Sequence, residues 1–177
     1  MKDLNAILAG FGGQGILFMG KVIAYSGLID EKEVSWLPSY GPEMRGGTAN
    51  CSVCISDDPI CSPLVINPNV LIAMNLPSLD KFINDVQPGG IVIIDSTLVP
   101  KKVERDDVTV VYIPATEMAE KNSLKGLANI ILIGKLMQMT NFCSMEIMEK
   151  TIQKVVPPRK QQLVEPNMKA IKLGAEF

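Results

Sequence analysis

Short apolar runs alternate along the chain with longer segments in which polar and apolar residues are mixed. Such short runs are typical of strands that are buried on both faces of a sheet, where the usual alternation with polar residues is lost. They predict six strands, at residues 4–10, 33–38, 48–56, 70–74, 91–95 and 108–114.

The longer segments predict helices. The first of them, residues 14–28, is apolar around most of its circumference and carries Lys21 as its single charge, which indicates packing on more than one side. The full predicted set is residues 14–28, 76–83, 115–121, 127–139, 144–156 and 160–174.

The order of these elements predicts the fold class. Strands and helices alternate along most of the sequence, so we expect a single α/β domain over residues 1–177 with a Rossmann-like three-layer fold and a mostly parallel sheet. We expect at least one antiparallel strand, and residues 48–56, which directly follow a loop rich in Gly and Pro, are the strongest candidate.

The composition limits the classes of partner and the kinds of catalysis that we expect for this chain. Of the 177 residues, 20% are charged, and the formal net charge is -2. This balance favours neither nucleic acid nor anionic lipid, and no apolar run reaches the roughly 18 residues of a membrane helix, so we expect neither partner and a cytoplasmic location. The sequence contains no histidine, which excludes Ser-His-Asp and Cys-His nucleophile systems.

Three cysteines, Cys51, Cys54 and Cys61, have a spacing that resembles the start of a zinc or iron–sulfur site. Within the predicted strand, however, residues three apart point to opposite faces, so Cys51 and Cys54 should not share a metal ion. Cys143 lies far away in a helical context. We therefore expect no metal site, and interpret the thiols as small buried hydrophobic groups.

The first loop, in the stretch "ILAGFGGQGILFMG", is the leading candidate for a binding site. Gly10, Gly12 and Gly15 match the spacing G-x-G-x-x-G, and Gly13 and Gln14 lie within it. After a strand and before a helix, this spacing lets backbone N–H groups approach a phosphate. The Gln14 amide adds a group that both donates and accepts hydrogen bonds.

Three interpretations of this loop remain open on the residues alone. The glycines bind a phosphate-bearing ligand, bind free NAD or FAD, or serve only a tight turn and close helix packing. An ordinary NAD site needs an acidic residue at the end of the second strand, and here that strand ends "SWLPSY" without one.

The second loop, "SYGPEMRGG", adds polar groups on a backbone that Pro42 restrains and glycines free. Arg45 is suited to bidentate binding of a carboxylate or phosphate, and a surface ion pair with Glu43 is the alternative. The binding candidates in this loop are Tyr40, Gly41, Glu43, Arg45, Gly46 and Gly47.

The two loops together, "GFGGQGI" and "SYGPEMRGGTANC", resemble the γ subunit of the 2-oxoacid:ferredoxin oxidoreductases, which act on pyruvate, 2-oxoglutarate or 2-oxoisovalerate. The resemblance runs nearly end to end. Weaker matches follow in the expected order, at "VLIAMNLPSLDKF", "IVIIDSTLV", "LANIILIGKL" and "EPNMKAIKLG", the last with Asn167, Ala170 and Gly174.

The resemblance implies a subunit that has no catalytic residue of its own and is inactive alone. Thiamine diphosphate, Mg²⁺ and iron–sulfur clusters would be bound by partner α, β and possibly δ subunits, and coenzyme A would be a shared substrate. The complex would decarboxylate a 2-oxoacid, form acyl-CoA and reduce ferredoxin. Residues 10–15 and 39–47 would face the coenzyme A route and the partner subunits, and the isolated chain could pair with itself.

Two alternatives stay open. One is a free-standing Rossmann-like nucleotide-binding oxidoreductase, and the other is the related subunit of the indolepyruvate oxidoreductases. The resemblance does not identify the 2-oxoacid, because in this family substrate choice belongs mainly to the thiamine-binding subunits.

Overall fold

The structure is a computed structural model, which describes residues 3–39 and 48–177. Its strands are β1 Leu4–Phe11, β2 Glu33–Ser39, β3 Thr48–Ser56, β4 Val70–Ala73, β5 Ile91–Asp95 and β6 Thr109–Ile113. Its α-helices are α1 Ile16–Ile29, α2 Leu76–Phe82, α3 Ala115–Lys121, α4 Ala128–Thr140, α5 Met145–Val155 and α6 Val164–Glu176. Short 3₁₀ helices lie at Ile83–Asp85 and Pro158–Leu163.

The six strands form one mixed sheet in the order β2-β3-β1-β4-β5-β6. The ladders from β1 through β4 and β5 to β6 are parallel, whereas β3 is antiparallel to both of its neighbours, β1 and β2. The prediction of a mostly parallel α/β sheet, with residues 48–56 as the antiparallel strand, is confirmed.

Both faces of the sheet carry helices, which gives three layers. On β1, Leu4, Ala6 and Leu8 belong to a large core that includes residues of α1, α4, α5 and α6. The alternate residues Ile7 and Ala9 face a smaller core that includes Leu79 of α2. The apolar helix α1 contacts the sheet on one side and α5 on another, as its composition predicts.

One helix–sheet contact and one helix–helix contact are close because glycines leave no side chain between the two elements. At Gly20 of α1, a Cβ atom would lie 2.5 Å from the Cys51 Sγ and 2.8 Å from the Trp36 Nε1. Between α4 and α6 the contact is closer, since a Cβ atom at Gly134 would overlap the Ile171 carbonyl and one at Gly174 would overlap the Ile131 carbonyl.

The predicted start of the last helix is wrong. Residues 160–174 were expected to be one helix, but α6 begins at Val164 and is preceded by the 3₁₀ helix Pro158–Leu163. Lys160 has non-helical dihedrals, with φ −127° and ψ 24°. Pro166 would be interior to a helix over 160–174, where it lacks a backbone donor and its ring clashes with the carbonyl four residues earlier, whereas in α6 it lies in the first turn, where proline is tolerated.

None of the helices in the described parts of the chain is both long and apolar enough to span a membrane.

Candidate functional site

The glycine loop joins β1 to α1 at the carboxyl edge of the sheet. Phe11 is the last residue of β1, and the Gln14 N–H donates to the Phe11 carbonyl at 3.2 Å, which closes a tight turn. Gly15 is the N-cap of α1 and has a left-handed conformation, with φ 77° and ψ 24°. The helix therefore begins at Ile16, two residues later than the sequence pattern predicted. Gly12 and Gly13 are exposed at the tip.

The Gln14 side chain holds this turn from within. Its Oε1 accepts a hydrogen bond from the Phe11 N–H at 2.5 Å, and its Nε2 donates to the Met74 carbonyl, at the end of β4, at 3.1 Å. Both ends of the amide are thus engaged with backbone. The sequence pattern made Gln14 a binding candidate because its amide both donates and accepts hydrogen bonds. In the structure, the amide donates to and accepts from backbone groups.

Asn129 is a site residue that the sequence prediction did not include. It lies in the first turn of α4, is 3% exposed, and donates from Nδ2 to the Gly15 carbonyl at 3.1 Å. Its only sequence signal was its place in the stretch "LANIILIGKL", which matched the asparagine-containing helix of the resembled family. The bond ties the beginning of α1 to the beginning of α4.

Two helices, α1 and α4, have N-termini at this edge whose backbone N–H groups and partial positive charge are not balanced by a nearby side chain of the described residues. Within the described residues, α1 and α4 begin with neither a side-chain cap nor an acidic residue in the first turn. By contrast, α5 is capped by Ser144 and carries Glu146 in its first turn. The free N–H groups and partial positive charge at the two uncapped ends favour an anionic group nearby.

A cleft of about 240 Å³ lies between the glycine loop and the start of α4. Gly13, Gln14 and Met74 form one wall, and Lys125 and Ala128 lie on another. The cleft is at the point where connections leave the sheet in opposite directions, from β1 towards β2 and from β4 towards β5. Ligands of open α/β sheets bind at such positions. A second hollow, also about 240 Å³, lies on the other side of the loop beside Phe11.

Asp95 fixes the far side of the cleft. Its buried carboxylate accepts hydrogen bonds from the Thr97 N–H at 3.2 Å, the Thr116 N–H at 3.3 Å and the Thr116 hydroxyl at 2.5 Å. These bonds join the end of β5 to the first turn of α3. The carboxylate is fully buried and its three donors belong to the protein, so Asp95 stabilises this wall and does not face the cleft.

Cys51 and Cys54 are buried and arranged as the strand prediction required, but Cys61 is exposed, so the interpretation of the thiols as buried groups is wrong for Cys61. Cys51 packs in the large core with Val53 and Ile55, whereas Cys54 lies at an alternate position of β3 on the opposite face. Burial raises the pKa of the Cys51 thiol to about 12 and the pKa of the Cys143 thiol to about 12. Within residues 3–39 and 48–177, no group of three or more His, Cys, Asp or Glu side chains could hold a metal ion.

The second predicted loop lies outside the described residues. This applies to all of its binding candidates, namely Tyr40, Gly41, Glu43, Arg45, Gly46 and Gly47. The described residues that flank it are at the same edge as the glycine loop, because Thr48 pairs with Phe11 and Ser39 pairs with Asn50.

The mixed sheet, with the glycine-rich loop at its carboxyl edge, defines a Rossmann-like α/β chain. Residues 5–177 match the family model for pyruvate ferredoxin/flavodoxin oxidoreductase. The chain therefore belongs to the pyruvate ferredoxin/flavodoxin oxidoreductase family, and the resemblance found in the sequence is confirmed.

Two relatives show how the chain compares in length. It is 41% identical over 172 residues to the 2-oxoglutarate synthase subunit KorC of Methanocaldococcus jannaschii, covering 96% of this chain and 90% of that protein. It is 38% identical over 175 residues to the ketoisovalerate oxidoreductase subunit VorA of Methanothermobacter thermautotrophicus, covering 99% of this chain. The chain spans only 36% of the length of that VorA protein.

Two solved structures share the fold. The γ subunit of a keto/oxoacid ferredoxin oxidoreductase from Geobacter sulfurreducens has a TM-score of 0.86 and 29% identity, with 99% of this chain and 96% of that chain covered. The 2-oxoglutarate:ferredoxin oxidoreductase from Magnetococcus marinus, with 2-oxoglutarate, coenzyme A and succinyl-CoA bound, has a TM-score of 0.89 at 22% identity. The alignment covers 99% of this chain and 31% of the Magnetococcus chain, and shows the fold alone.

Proposed function

We propose that this chain is the γ subunit of a multi-subunit 2-oxoacid:ferredoxin oxidoreductase. The complex converts a 2-oxoacid and coenzyme A to acyl-CoA and CO₂, and the two electrons released pass to ferredoxin. Family membership and the similarity to a γ subunit over nearly the whole chain support this assignment. The 2-oxoacid is left open, and an indolepyruvate oxidoreductase subunit is the alternative within the family.

The observation that carries a coenzyme A role is the pair of uncapped helix N-termini beside the exposed glycine loop. Coenzyme A has an anionic phosphate portion and a largely neutral arm. The backbone N–H groups at Gly12 and Gly13 and the starts of α1 and α4 favour the anionic portion. The apolar walls of the cleft, at Met74 and Ala128, suit the neutral arm.

An apolar rim supports contact with other subunits. Phe11, Leu76 and Leu98 are 41%, 37% and 42% exposed, and they follow the ends of the neighbouring strands β1, β4 and β5. Large apolar side chains grouped around a site are typical of protein interfaces. We therefore place the partner subunits against the carboxyl edge, where they would complete the coenzyme A route.

The residues of this chain bind and orient, and the covalent chemistry belongs to the partners. Thiamine diphosphate, with Mg²⁺, supplies the decarboxylation chemistry when bound by its own subunit, and iron–sulfur clusters there carry the electrons. Cys51 and Cys54 face opposite sides of β3 and do not fit a cluster, so no electron-transfer step is assigned to this chain. From the resemblance, Arg45 would supply a second anchor for an anionic group.

A charge change at Gly13 tests the coenzyme A role. Gly13 has φ 100°, so Asp and Asn there both incur backbone strain, but a Cβ atom would meet nothing within 4 Å and the two side chains, similar in size, differ mainly in charge. In the assembled complex, Gly13→Asp should raise the KM for coenzyme A about tenfold more than Gly13→Asn, because a carboxylate at the helix N-terminus competes with the phosphates. Equal KM values in steady-state viologen reduction would contradict this role.

A further inference from the structure

We propose that Gln14 and Asn129 are positioning residues that hold the glycine loop in its binding conformation from inside the protein. The proposal rests on the coenzyme A role just described, and it adds how the loop is held. Neither residue is assigned a contact with the ligand.

The two side-chain amides reach the loop backbone from opposite ends. The Gln14 Oε1 accepts a hydrogen bond from the Phe11 N–H, and its Nε2 donates to the Met74 carbonyl. These bonds link the start of the loop to the end of β4. Asn129 donates to the Gly15 carbonyl, which links the end of the loop to α4. Between these two bonds lie the exposed Gly12 and Gly13, whose backbone groups form no hydrogen bond with other described residues, and we assign these groups to the ligand.

The outer glycines of the G-x-G-x-x-G spacing make room for these amides. A Cβ atom at Gly10 would lie 2.6 Å from the Gln14 Oε1, and one at Gly15 would overlap the Asn129 Nδ2. Gly13, by contrast, has open space at its Cβ position. The first and last glycines are therefore explained by packing of the two amides, and the exposed glycines between them are available for binding.

A loop held in this way has its N–H groups arranged before the ligand arrives. Binding then costs less conformational entropy than it would in a loose loop. Losing either amide should therefore weaken coenzyme A binding while leaving the chemical steps on the partner subunits unchanged.

The chain offers a matched control for Asn129. Asn167 is also 3% exposed, donates from Nδ2 to a helix carbonyl, that of Leu163, at 2.7 Å, and lies on α6. For both residues the Oδ1 is buried without a hydrogen-bond partner among the described residues. Replacing either by Leu, which is uncharged and similar in size, removes the same kind of bond, but only Asn129 contacts the loop.

The test compares Asn129→Leu with Asn167→Leu in two measurements, and neither substitution adds a charge. In the assembled complex, Asn129→Leu should raise the KM for coenzyme A about tenfold, with kcat unchanged, while Asn167→Leu leaves both constants as in the wild type. In the full chain alone, hydrogen exchange at the Phe11 and Gln14 amides should be faster in Asn129→Leu than in Asn167→Leu.

If Asn129→Leu does not fold, Gln14→Met replaces it, with Gln161→Met as its control. Gln161 is exposed and donates to the Val156 carbonyl at 3.1 Å, away from the loop. Unchanged exchange at the loop would overturn the proposal, as would faster exchange with an unchanged KM. A wild-type complex without coenzyme A-dependent turnover would instead overturn the proposed function, and the exchange data would still test how the loop is held.

Discussion

At the scale of single residues, the glycines of the loop differ in what surrounds them. A side chain at either outer glycine, Gly10 or Gly15, would occupy the space of the Gln14 or Asn129 amide. Gly13 faces open space. The structure therefore explains the outer glycines by packing, and binding at the exposed glycines between them stays a prediction.

Gly15→Ala should therefore destabilise the protein more than Gly13→Ala. Both residues have positive φ, at 77° and 100°, so both substitutions incur a backbone penalty of about 1–2 kcal/mol. Only Gly15→Ala also displaces the Asn129 amide, which should add about 1 kcal/mol for the lost hydrogen bond. Urea denaturation measures the difference, and equal midpoints with equal slopes would show that the Asn129 contact contributes nothing.

The candidate site was predictable from sequence only where its residues are adjacent in the chain. Gly10 to Gly15 form a local pattern with a known use, so the sequence alone singles them out, and their role in binding stays a prediction. Asn129 and Asp95 act through bonds to residues 114 and 21 positions away, and nothing in their local sequence indicates those partners. Such contacts follow from how α4 and α3 pack on the sheet.

At the scale of elements, the crossing of α4 and α6 depends on two glycines that face each other's backbone. Gly134→Ala should lower the free energy of unfolding by at least about 2 kcal/mol, because the new Cβ overlaps the Ile171 carbonyl, which cannot move without shifting α6. This cost exceeds the gain of about 1 kcal/mol in helix propensity.

Gly20→Ala provides the comparison for that prediction. Its new Cβ would meet the Cys51 Sγ and Trp36 Nε1, which are side-chain atoms that can shift. We expect a net change within about 1 kcal/mol, since propensity offsets part of the strain. If thermal and urea unfolding give Gly134→Ala the same stability as Gly20→Ala, then α4 and α6 are not packed as closely as described.

Element positions were largely predictable because short buried strands leave a strong apolar signal. The bounds of β3, Thr48–Ser56, β5, Ile91–Asp95, and α3, Ala115–Lys121, agree with the sequence pattern residue for residue. The start of α6 did not, because the 3₁₀ segment Pro158–Leu163 is polar and exposed, so it carries no apolar periodicity that could mark where the regular helix begins. Periodicity reports which face is buried, and it does not report where backbone hydrogen bonding changes.

At the scale of the whole molecule, buried thiols should make stability fall at alkaline pH. Burial raises the pKa of Cys51 and of Cys143 from 9.0 to about 12. Between pH 9 and 12 the unfolded chain loses protons that the folded chain keeps, so the stabilisation present below pH 9 is lost as pH rises. Each thiol contributes up to about 1.4 kcal/mol per pH unit.

Unfolding free energies measured by urea denaturation from pH 8 to 10.5 check this expectation. Cys51→Ala should make the decline shallower by up to about 1.4 kcal/mol per pH unit. Cys61, which is exposed, provides the control, and Cys61→Ala should leave the decline unchanged. The same decline in the wild type and Cys51→Ala would contradict the assignment of a buried neutral thiol.

Purifying the tagged chain from its own host without oxygen tests whether it works as a γ subunit. We expect larger co-purifying chains, a brown colour from iron–sulfur clusters, and coenzyme A-dependent viologen reduction with one or more 2-oxoacids, indolepyruvate included in the panel. A colourless chain that purifies alone and is inactive with every oxoacid, under conditions that preserve another such complex from the same cells, would contradict this role.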